Sequence, residues 1–240
     1  MRNFEKSYGA KTRTSLKSRL AFTLAEVLIT LGIIGVVAAL SIPQLITHYK
    51  KTRTETAVKR FYALINNAFR LSSVDNGDPD GWLQVGAGSS YARDVQFMEQ
   101  YIFPYMKHGR YKRCKKNDGQ DGVCVELLDG YMWFDVDANG GDIIYYPIQS
   151  YDKWSDATLS LPDTGFSFQF SKLRTNYNSR GTNIADSRSF IEPYIYNWDG
   201  RETSLRTAGT YGCKKGNSNS RYCTKILQLN GWKFPKDYPW

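Results

Sequence analysis

The sequence predicts an α+β protein in which a long N-terminal helix packs on an antiparallel β-sheet. Two observations support this prediction. A long apolar stretch near the N-terminus passes directly into an amphipathic one, and short strand-like runs follow after a break rich in Asp and Gly. The chain has 240 residues, of which 41% are hydrophobic and 15% aromatic, so it can bury a sizeable core and is not a disordered chain.

A basic leader precedes the apolar stretch. Residues 1–21 carry six Lys and Arg against one acid, and residues 22–46 read FTLAEVLITLGIIGVVAALSIPQLI. As a helix, the first 21 residues of this stretch would extend roughly 31 Å, which is enough to cross the hydrocarbon core of a membrane. The alternative is a cleaved secretory signal peptide, with small residues at Val37-Ala38-Ala39. The stretch is longer than the apolar region of such signals, so a membrane-spanning helix is favoured.

Two residues are unusual for a plain membrane anchor. Glu26 is the one charged residue in the apolar stretch, and an ionised carboxylate in lipid is costly, so we expect it to have a partner. Pro43 is expected to kink or loosen the helix because it lacks a backbone N–H. The alternatives are that Glu26 lies at the lipid headgroups and that Pro43 marks the end of the membrane segment.

The block Ala21-Phe22-Thr23-Leu24-Ala25-Glu26 resembles the prepilin processing site of type IV pilins and type II secretion pseudopilins. In that family a basic leader is removed before the phenylalanine and the new N-terminus is methylated. A glutamate at the fifth mature position follows, and a proline at the twenty-second is common. Counted from Phe22, Glu26 and Pro43 stand at those positions, whereas Ala21 replaces the usual glycine. Residues 230–240 are also similar to the ends of pilin-like proteins.

The resemblance implies a structural role without catalysis. A prepilin peptidase would cut between Ala21 and Phe22, the amine of Phe22 would be methylated, and Glu26 and Pro43 would serve assembly. The implied partners are other pilin or pseudopilin subunits, an inner-membrane assembly platform and the lipid bilayer. The implied location is the inner membrane, in a single pass, with the head outside the cytoplasm and part of a periplasmic or surface filament. Cleavage would leave 219 residues, which favours a minor subunit.

The predicted organisation has three parts: the leader 1–21, a membrane-spanning and then amphipathic helix 22–74, and a globular head 75–240. Apolar residues recur at intervals of three and four as far as Phe69, so the helix is expected to continue to about Ser73. One short helix is expected near 91–103. Asp129-Gly130 indicates a hairpin between two of the predicted strands. These strands are Val123–Leu128, Tyr131–Val136, Ile143–Ile148, Gly165–Phe170 and Tyr222–Leu229.

The four cysteines form two pairs with the same spacing, Cys114 with Cys124 and Cys213 with Cys223. Each pair encloses a Gly- and Asn-containing segment, so local disulfides that close hairpin-like loops are predicted. Closing loops of this length would contribute roughly 2.8 kcal/mol each. A four-thiolate zinc site is the alternative, but the pairs lack the short spacing of such sites. Disulfides indicate an oxidising compartment, in agreement with a head outside the cytoplasm.

The head contains a partial calcium-loop pattern. Asp135, Asp137 and Asn139 alternate before a glycine, and Asp142 could supply a further oxygen, so calcium is a possible cofactor. Tyr146 stands where such a loop has a bidentate glutamate, which favours an ordinary turn between strands.

A basic segment in the head is the candidate nucleic-acid contact. It has two tyrosines nearby, as stacking surfaces for bases would require, and its basic residues are Lys107, Arg110, Lys112, Arg113, Lys115 and Lys116. The net charge argues against this reading. Residues 1–74 carry 12 Lys and Arg against 3 acids, whereas residues 75–240 carry 20 of each. A solvated loop is therefore favoured over a competence-type pilin that binds DNA.

Enzymatic function finds little support in the sequence. It contains no Gly-rich phosphate loop and no Gly-x-Ser-x-Gly motif, and its two histidines, His48 and His108, are far apart. A membrane-anchored hydrolase with scattered carboxylates remains the less favoured alternative.

Overall fold

The computed structural model describes residues 23–82, 90–116, 119–136, 140–153, 162–171 and 190–240. The leader lies outside these residues. The chain divides into two compact units, residues 1–47 and residues 48–240.

The first element is a single helix, α1, over Leu24–Asn76. It continues through Pro43 without a break and ends slightly beyond the expected position near Ser73. Gly77, with φ of 75°, follows directly and takes a backbone conformation that glycine adopts without strain. Near the N-terminus, α1 is long and apolar enough to cross a membrane, and none of its most apolar 18-residue stretch is buried. This is the long apolar helix that the sequence predicts.

Within the described ranges the sheet has six strands in sequence order, each antiparallel to its neighbours. The strands are β1 (Tyr111–Lys115), β2 (Asp121–Leu127), β3 (Gly130–Val136), β4 (Gly140–Pro147), β5 (Phe166–Ser171) and β6 (Ile191–Pro193). The predicted hairpin is present, since Leu127 pairs with Gly130 across a two-residue turn. A Cβ at Gly130 would lie 2.1 Å from the carbonyl oxygen of Tyr146, so this position requires glycine.

The second half of α1 packs on one face of the sheet. Phe61 stacks on Tyr145 of β4 with ring centroids 4.2 Å apart, and Phe69 lies 4.8 Å from Phe170 of β5. Ile65, between them along the helix, is fully buried. The apolar positions spaced for a helix therefore form the contact with the sheet, and the predicted α+β arrangement is confirmed.

The opposite face of the sheet carries a second, smaller cluster. Strand β3 alternates, with Met132 and Phe134 on the face of α1 and Tyr131 and Trp133 in the second cluster. The Cys114–Cys124 disulfide belongs to this second cluster. The sheet therefore buries side chains on both faces, as in a middle layer.

The remaining helical segments among the described residues are short. Helix α2 (Tyr91–Phe97) passes into a π-helical turn over Met98–Ile102 and a 3-10 turn over Phe103–Tyr105, which agrees with the short helix expected near 91–103. Single 3-10 turns cover Pro79–Gly81 and Tyr151–Lys153. Helices α3 (Ser204–Thr207) and α4 (Cys223–Leu229) complete the described elements.

The predicted strand Tyr222–Leu229 is wrong, because this segment forms helix α4. Its buried residues Cys223, Ile226 and Leu227 recur at intervals of three and four, which is the spacing of a helix face. The helix ends at Leu229, Gly231 follows two residues later with φ of 65°, and the N–H of Trp232 donates to the carbonyl of Leu227. Such a six-to-one hydrogen bond is typical of a helix C-terminus.

Two strands were not expected from the sequence. Residues 111–115 of the basic segment, interpreted as a loop, form the edge strand β1. Only Cys114 of this strand is buried, so its sequence lacks a clear apolar alternation. Strand β6 has three residues, too few for a periodic signal, and Asn66 of α1 holds it in place through both Ile191 N–H and Ile191 carbonyl.

Candidate functional site

The start of α1 is the first candidate site. The backbone N–H and the hydroxyl of Thr23 both donate to Oε2 of Glu26 at 2.8 Å, and the N–H of Glu26 lies 3.2 Å from the Thr23 hydroxyl oxygen. These reciprocal hydrogen bonds form a capping box, which satisfies backbone donors at a helix start. Glu26 therefore has a partner within its own chain. The Thr-x-x-Glu motif in the sequence is the local signal for this cap.

Ala21 and Phe22, the predicted cleavage and methylation positions, lie outside the described residues. The helix that begins two residues later presents its apolar side chains to the surroundings, and Leu24 and Leu40 are 78% and 70% exposed. Exposed apolar area of this extent requires a lipid or protein environment. Pro43 lies inside the helix, where its missing N–H leaves the carbonyl four residues earlier without its usual donor.

Both disulfides have the pairing that the spacing predicts, Cys114 with Cys124 and Cys213 with Cys223. The first joins neighbouring strands β1 and β2, in agreement with the hairpin-like loop expected there. The second closes a loop onto the first residue of α4 rather than a hairpin. Because all four sulfurs are paired, they are not available as zinc ligands.

The basic segment is largely neutralised by acids of the same unit. Arg110 contacts Glu126 at 3.2 Å, and a second contact joins it to Asp152 at 3.4 Å. Arg113 forms an ion pair with Asp121, and hydrogen bonding to this guanidinium lowers the pKa of Asp121.

The lysines of the segment have similar contacts. Lys115 lies 4.0 Å from Asp121, Lys112 lies over the ring of Tyr151, and buried Lys116 lies over the ring of Trp133. Lys107 is exposed. The structure thus places Lys112, Arg113 and Lys115 on the edge strand β1, and Arg110, Arg113 and Lys115 have acidic partners.

Two of the four calcium candidates are described, and both have polar partners. Asp135 accepts a hydrogen bond from the Nε2 amide of Gln120, and Asp142 forms an ion pair with Arg221. Burial and the neighbouring Asp142 carboxylate raise the pKa of Asp135 well above its usual range. Asp137 and Asn139 lie outside the described residues. Among the residues that the structure describes, no three His, Cys, Asp or Glu side chains are grouped as metal ligands.

A buried carboxylate at the same end of β3 was not singled out from the sequence. Asp94 of α2 is fully buried and accepts a hydrogen bond from the N–H of Val136 at 3.0 Å. Its second oxygen has no hydrogen-bond partner among the described residues. Burial raises the pKa of Asp94 to about 7, although the Val136 hydrogen bond opposes this shift.

A shallow groove lies between α1 and the two turns that end β2 and β4. Two arginines and two threonines of α1 line it, together with Asp129 of the β2–β3 turn and Ile148 after β4. Arg60 and Asp129 form an ion pair across it at 2.8 Å. These residues share no sequence motif, because the groove joins segments that are about 70 to 100 positions apart.

The comparisons with known proteins identify a family whose function is unknown. A model described as a family of unknown function (DUF6613) matches residues 44–240. The match includes the second part of α1 and the whole head, and the block around Phe22 lies outside it. No curated protein and no solved structure matches the chain.

Proposed function

Because the chain belongs to a family of unknown function (DUF6613), its role has to be argued from its own residues, and we propose that it is a structural subunit of a pilus or pseudopilus. A prepilin peptidase would remove the leader before Phe22, and the processed subunit would assemble through α1. The filament would belong to a type II secretion or type IV pilus system. The single observation that carries the proposal is the position of Glu26. It is the fifth residue counted from Phe22, and it lies at the start of an exposed apolar helix.

The chemistry of the processed N-terminus supports this role. Cleavage would create an amine at Phe22, four residues before Glu26 and at the edge of lipid. A positive and a negative charge in an apolar environment are each costly, and together they compensate. The amine of one subunit and the carboxylate of its neighbour would therefore set the axial register between two copies.

The capping box allows a sharper test of this idea than a simple deletion of the side chain. Glutamine can replace glutamate in a capping box, because its side-chain oxygen still accepts from Thr23. Glu26→Gln therefore removes the charge and keeps the cap, whereas Glu26→Ala removes both. We expect Glu26→Gln to insert into the membrane and to be processed normally, yet to enter filaments at a strongly reduced level.

The measurement combines mass spectrometry with filament isolation. The mature chain should begin with N-methyl-phenylalanine at position 22, and the fraction of each variant in sheared filaments should be quantified by immunoblot. Wild-type incorporation of Glu26→Gln would remove Glu26 from the assembly mechanism. A mature chain that starts near Leu40 would instead establish an ordinary signal peptide and overturn the proposal.

A further inference from the structure

The groove beside α1 has the size and lining of a site that binds a small anion. Its volume is about 360 Å³, within the range of pockets that take small molecules. The residues that line it are Tyr49, Thr52, Arg53, Thr56, Ala57, Arg60, Asp129 and Ile148. Arg53 and Arg60 are two helical turns apart and therefore lie on the same side of α1. The groove thus brings two guanidinium groups together with threonine hydroxyls.

The charge of the groove is not balanced. Among the described residues that line it, Asp129 supplies the one carboxylate, and this carboxylate holds Arg60 at 2.8 Å. Arg53 is exposed and forms no ion pair with the described residues. The acid nearest in sequence, Glu55, is held elsewhere, because it accepts from the N–H of Phe234 at 2.7 Å and from Lys233 at 3.1 Å. A free guanidinium with a planar set of donors suits phosphate oxygens.

Exposed apolar side chains border these charges. Tyr49 is 62% exposed, Leu128 in the neighbouring turn 85%, and Ile148 36%. Ile148 has φ of 64°, which is unfavourable for a β-branched residue. Its N–H donates to the carbonyl of Asp129 at 2.7 Å, so the β2–β3 turn holds this conformation. Aromatic and apolar groups beside cations are typical of surfaces at the membrane interface.

The position of these residues along α1 identifies the occupant. Tyr49 and Arg53 follow Ile46, the last residue of the apolar stretch, by three and seven residues. Seven residues correspond to about 10 Å of helical rise, and helical side chains point back toward the N-terminus. A membrane that holds the apolar stretch would therefore place its headgroup phosphates within reach of Arg53.

We propose that this groove binds the phosphate of an anionic membrane lipid, with Arg53 as the contacting residue and Arg60 fixed beside it by Asp129. Tyr49, Leu128 and Ile148 contact the interfacial region around that lipid. The inference requires that α1 crosses a membrane but not that the protein forms a filament. It can therefore fail while the proposed function holds, and the reverse is also true.

The test uses the full chain in neutral detergent micelles. The protein is titrated with dioctanoyl-phosphatidylglycerol, and the bound lipid is counted by native mass spectrometry. Separate titrations use dioctanoyl-phosphatidylcholine and inorganic phosphate. One phosphatidylglycerol should bind per chain with a clear preference over phosphatidylcholine. Arg53→Gln should weaken this binding about tenfold, as the loss of one charge-assisted contact predicts.

The matched control is Arg70→Gln, on the same helix but outside the groove, where Arg70 donates to the side chain of Asn67. It should bind lipid as the wild type does, and Arg53→Lys, which keeps the charge but not the planar donors, should bind more tightly than Arg53→Gln and more weakly than the wild type. Equal weakening by Arg53→Gln and Arg70→Gln would overturn the proposal, as would equal affinity for the two lipids. Binding of inorganic phosphate as tightly as phosphatidylglycerol would identify a free-anion site. Cross-linking between copies is measured separately without added lipid. If Arg53→Gln loses these cross-links, the groove is a subunit interface and the proposal is overturned.

Discussion

At the scale of single residues, Asp94 makes its own contribution to the pH dependence of the stability of the head. Its carboxyl is fully buried, its pKa is raised to about 7, and one of its oxygens holds the N–H of Val136. In the unfolded chain the pKa of an aspartate is about 4. Between these two values the folded protein binds more protons than the unfolded one. The stabilisation that the raised pKa of Asp94 contributes to folding is therefore complete below about pH 4 and is lost as the pH rises through about 7.

Replacing Asp94 by Asn should flatten this dependence. Asparagine keeps the acceptor for Val136 and cannot ionise. We expect the wild type to lose on the order of 2 kcal/mol more than Asp94→Asn in its free energy of unfolding between pH 5 and pH 8. Urea unfolding at the two pH values measures the difference, and Asp237→Asn, at an exposed carboxylate, is the control. Parallel pH profiles of the wild type and Asp94→Asn would show that Asp94 is already ionised in the folded protein at pH 5.

At the scale of elements, side chains attach α1 to the rest of its unit along its second half. Glu55 accepts from Phe234, and Asn66 donates to the carbonyl of Ile191 at 3.0 Å and accepts from its N–H at 2.9 Å. Tyr62 donates to Glu192 of the same strand at 3.1 Å. The bonds of Asn66 and Tyr62 hold the short edge strand β6 against the helix, because three residues alone make few ladder hydrogen bonds.

The Asn66 contact is open to a direct test. Asn66→Ala leaves the N–H and the carbonyl of Ile191 without their side-chain partner, so we expect a loss of about 2 kcal/mol in the free energy of unfolding. Asn66→Asp should be at least as damaging, because a carboxylate oxygen would then face the Ile191 carbonyl. Asn67→Ala, the exposed neighbour, should cost less than about 0.5 kcal/mol.

Chemical denaturation measures these energies, and hydrogen exchange at the Ile191 amide reports the contact itself. Exchange should become faster in Asn66→Ala and remain unchanged in Asn67→Ala. Equal protection of the Ile191 amide in all three proteins would mean that β6 is held by the sheet alone.

At the scale of the whole molecule, the excess positive charge is confined to residues 1–74, and residues 75–240 are neutral. Within the neutral part, Arg110 and Arg113 are each paired with acids. DNA binding requires the release of counterions by free cations, so the head should bind duplex DNA weakly.

A salt titration of DNA binding tests this expectation. Fluorescence anisotropy with a labelled duplex should give nearly the same affinity and salt slope for the full chain and for Lys107→Gln/Lys112→Gln. The two lysines were chosen because neither belongs to an ion pair among the described residues. A tenfold loss in the double variant, with a salt slope reduced by about two, would establish the basic segment as a DNA contact and favour the competence-type alternative.

The sequence by itself determined the features that depend on local pattern. The apolar stretch and the three- and four-residue spacing as far as Phe69 predict α1, and the equal spacing of the cysteines favours, among three possible pairings, the two disulfides that the structure contains. The alternation of strand β5 and the hairpin at Asp129-Gly130 are also local. Each of these features follows from the geometry of one element or of two adjacent ones.

Only the tertiary structure decided what depends on distant contacts. The sequence predicts a strand over Tyr222–Leu229, whereas this segment is a helix whose buried residues pack with the rest of the core. The sequence predicts a loop for the basic segment. Its own residues show neither the pairing of β1 with β2 nor the ion pairs to acids elsewhere in the chain. The raised pKa of Asp94 and the groove at Arg53 also depend on contacts between distant parts of the chain. Burial and charge at these positions are set by residues far away in sequence, and no local periodicity encodes them.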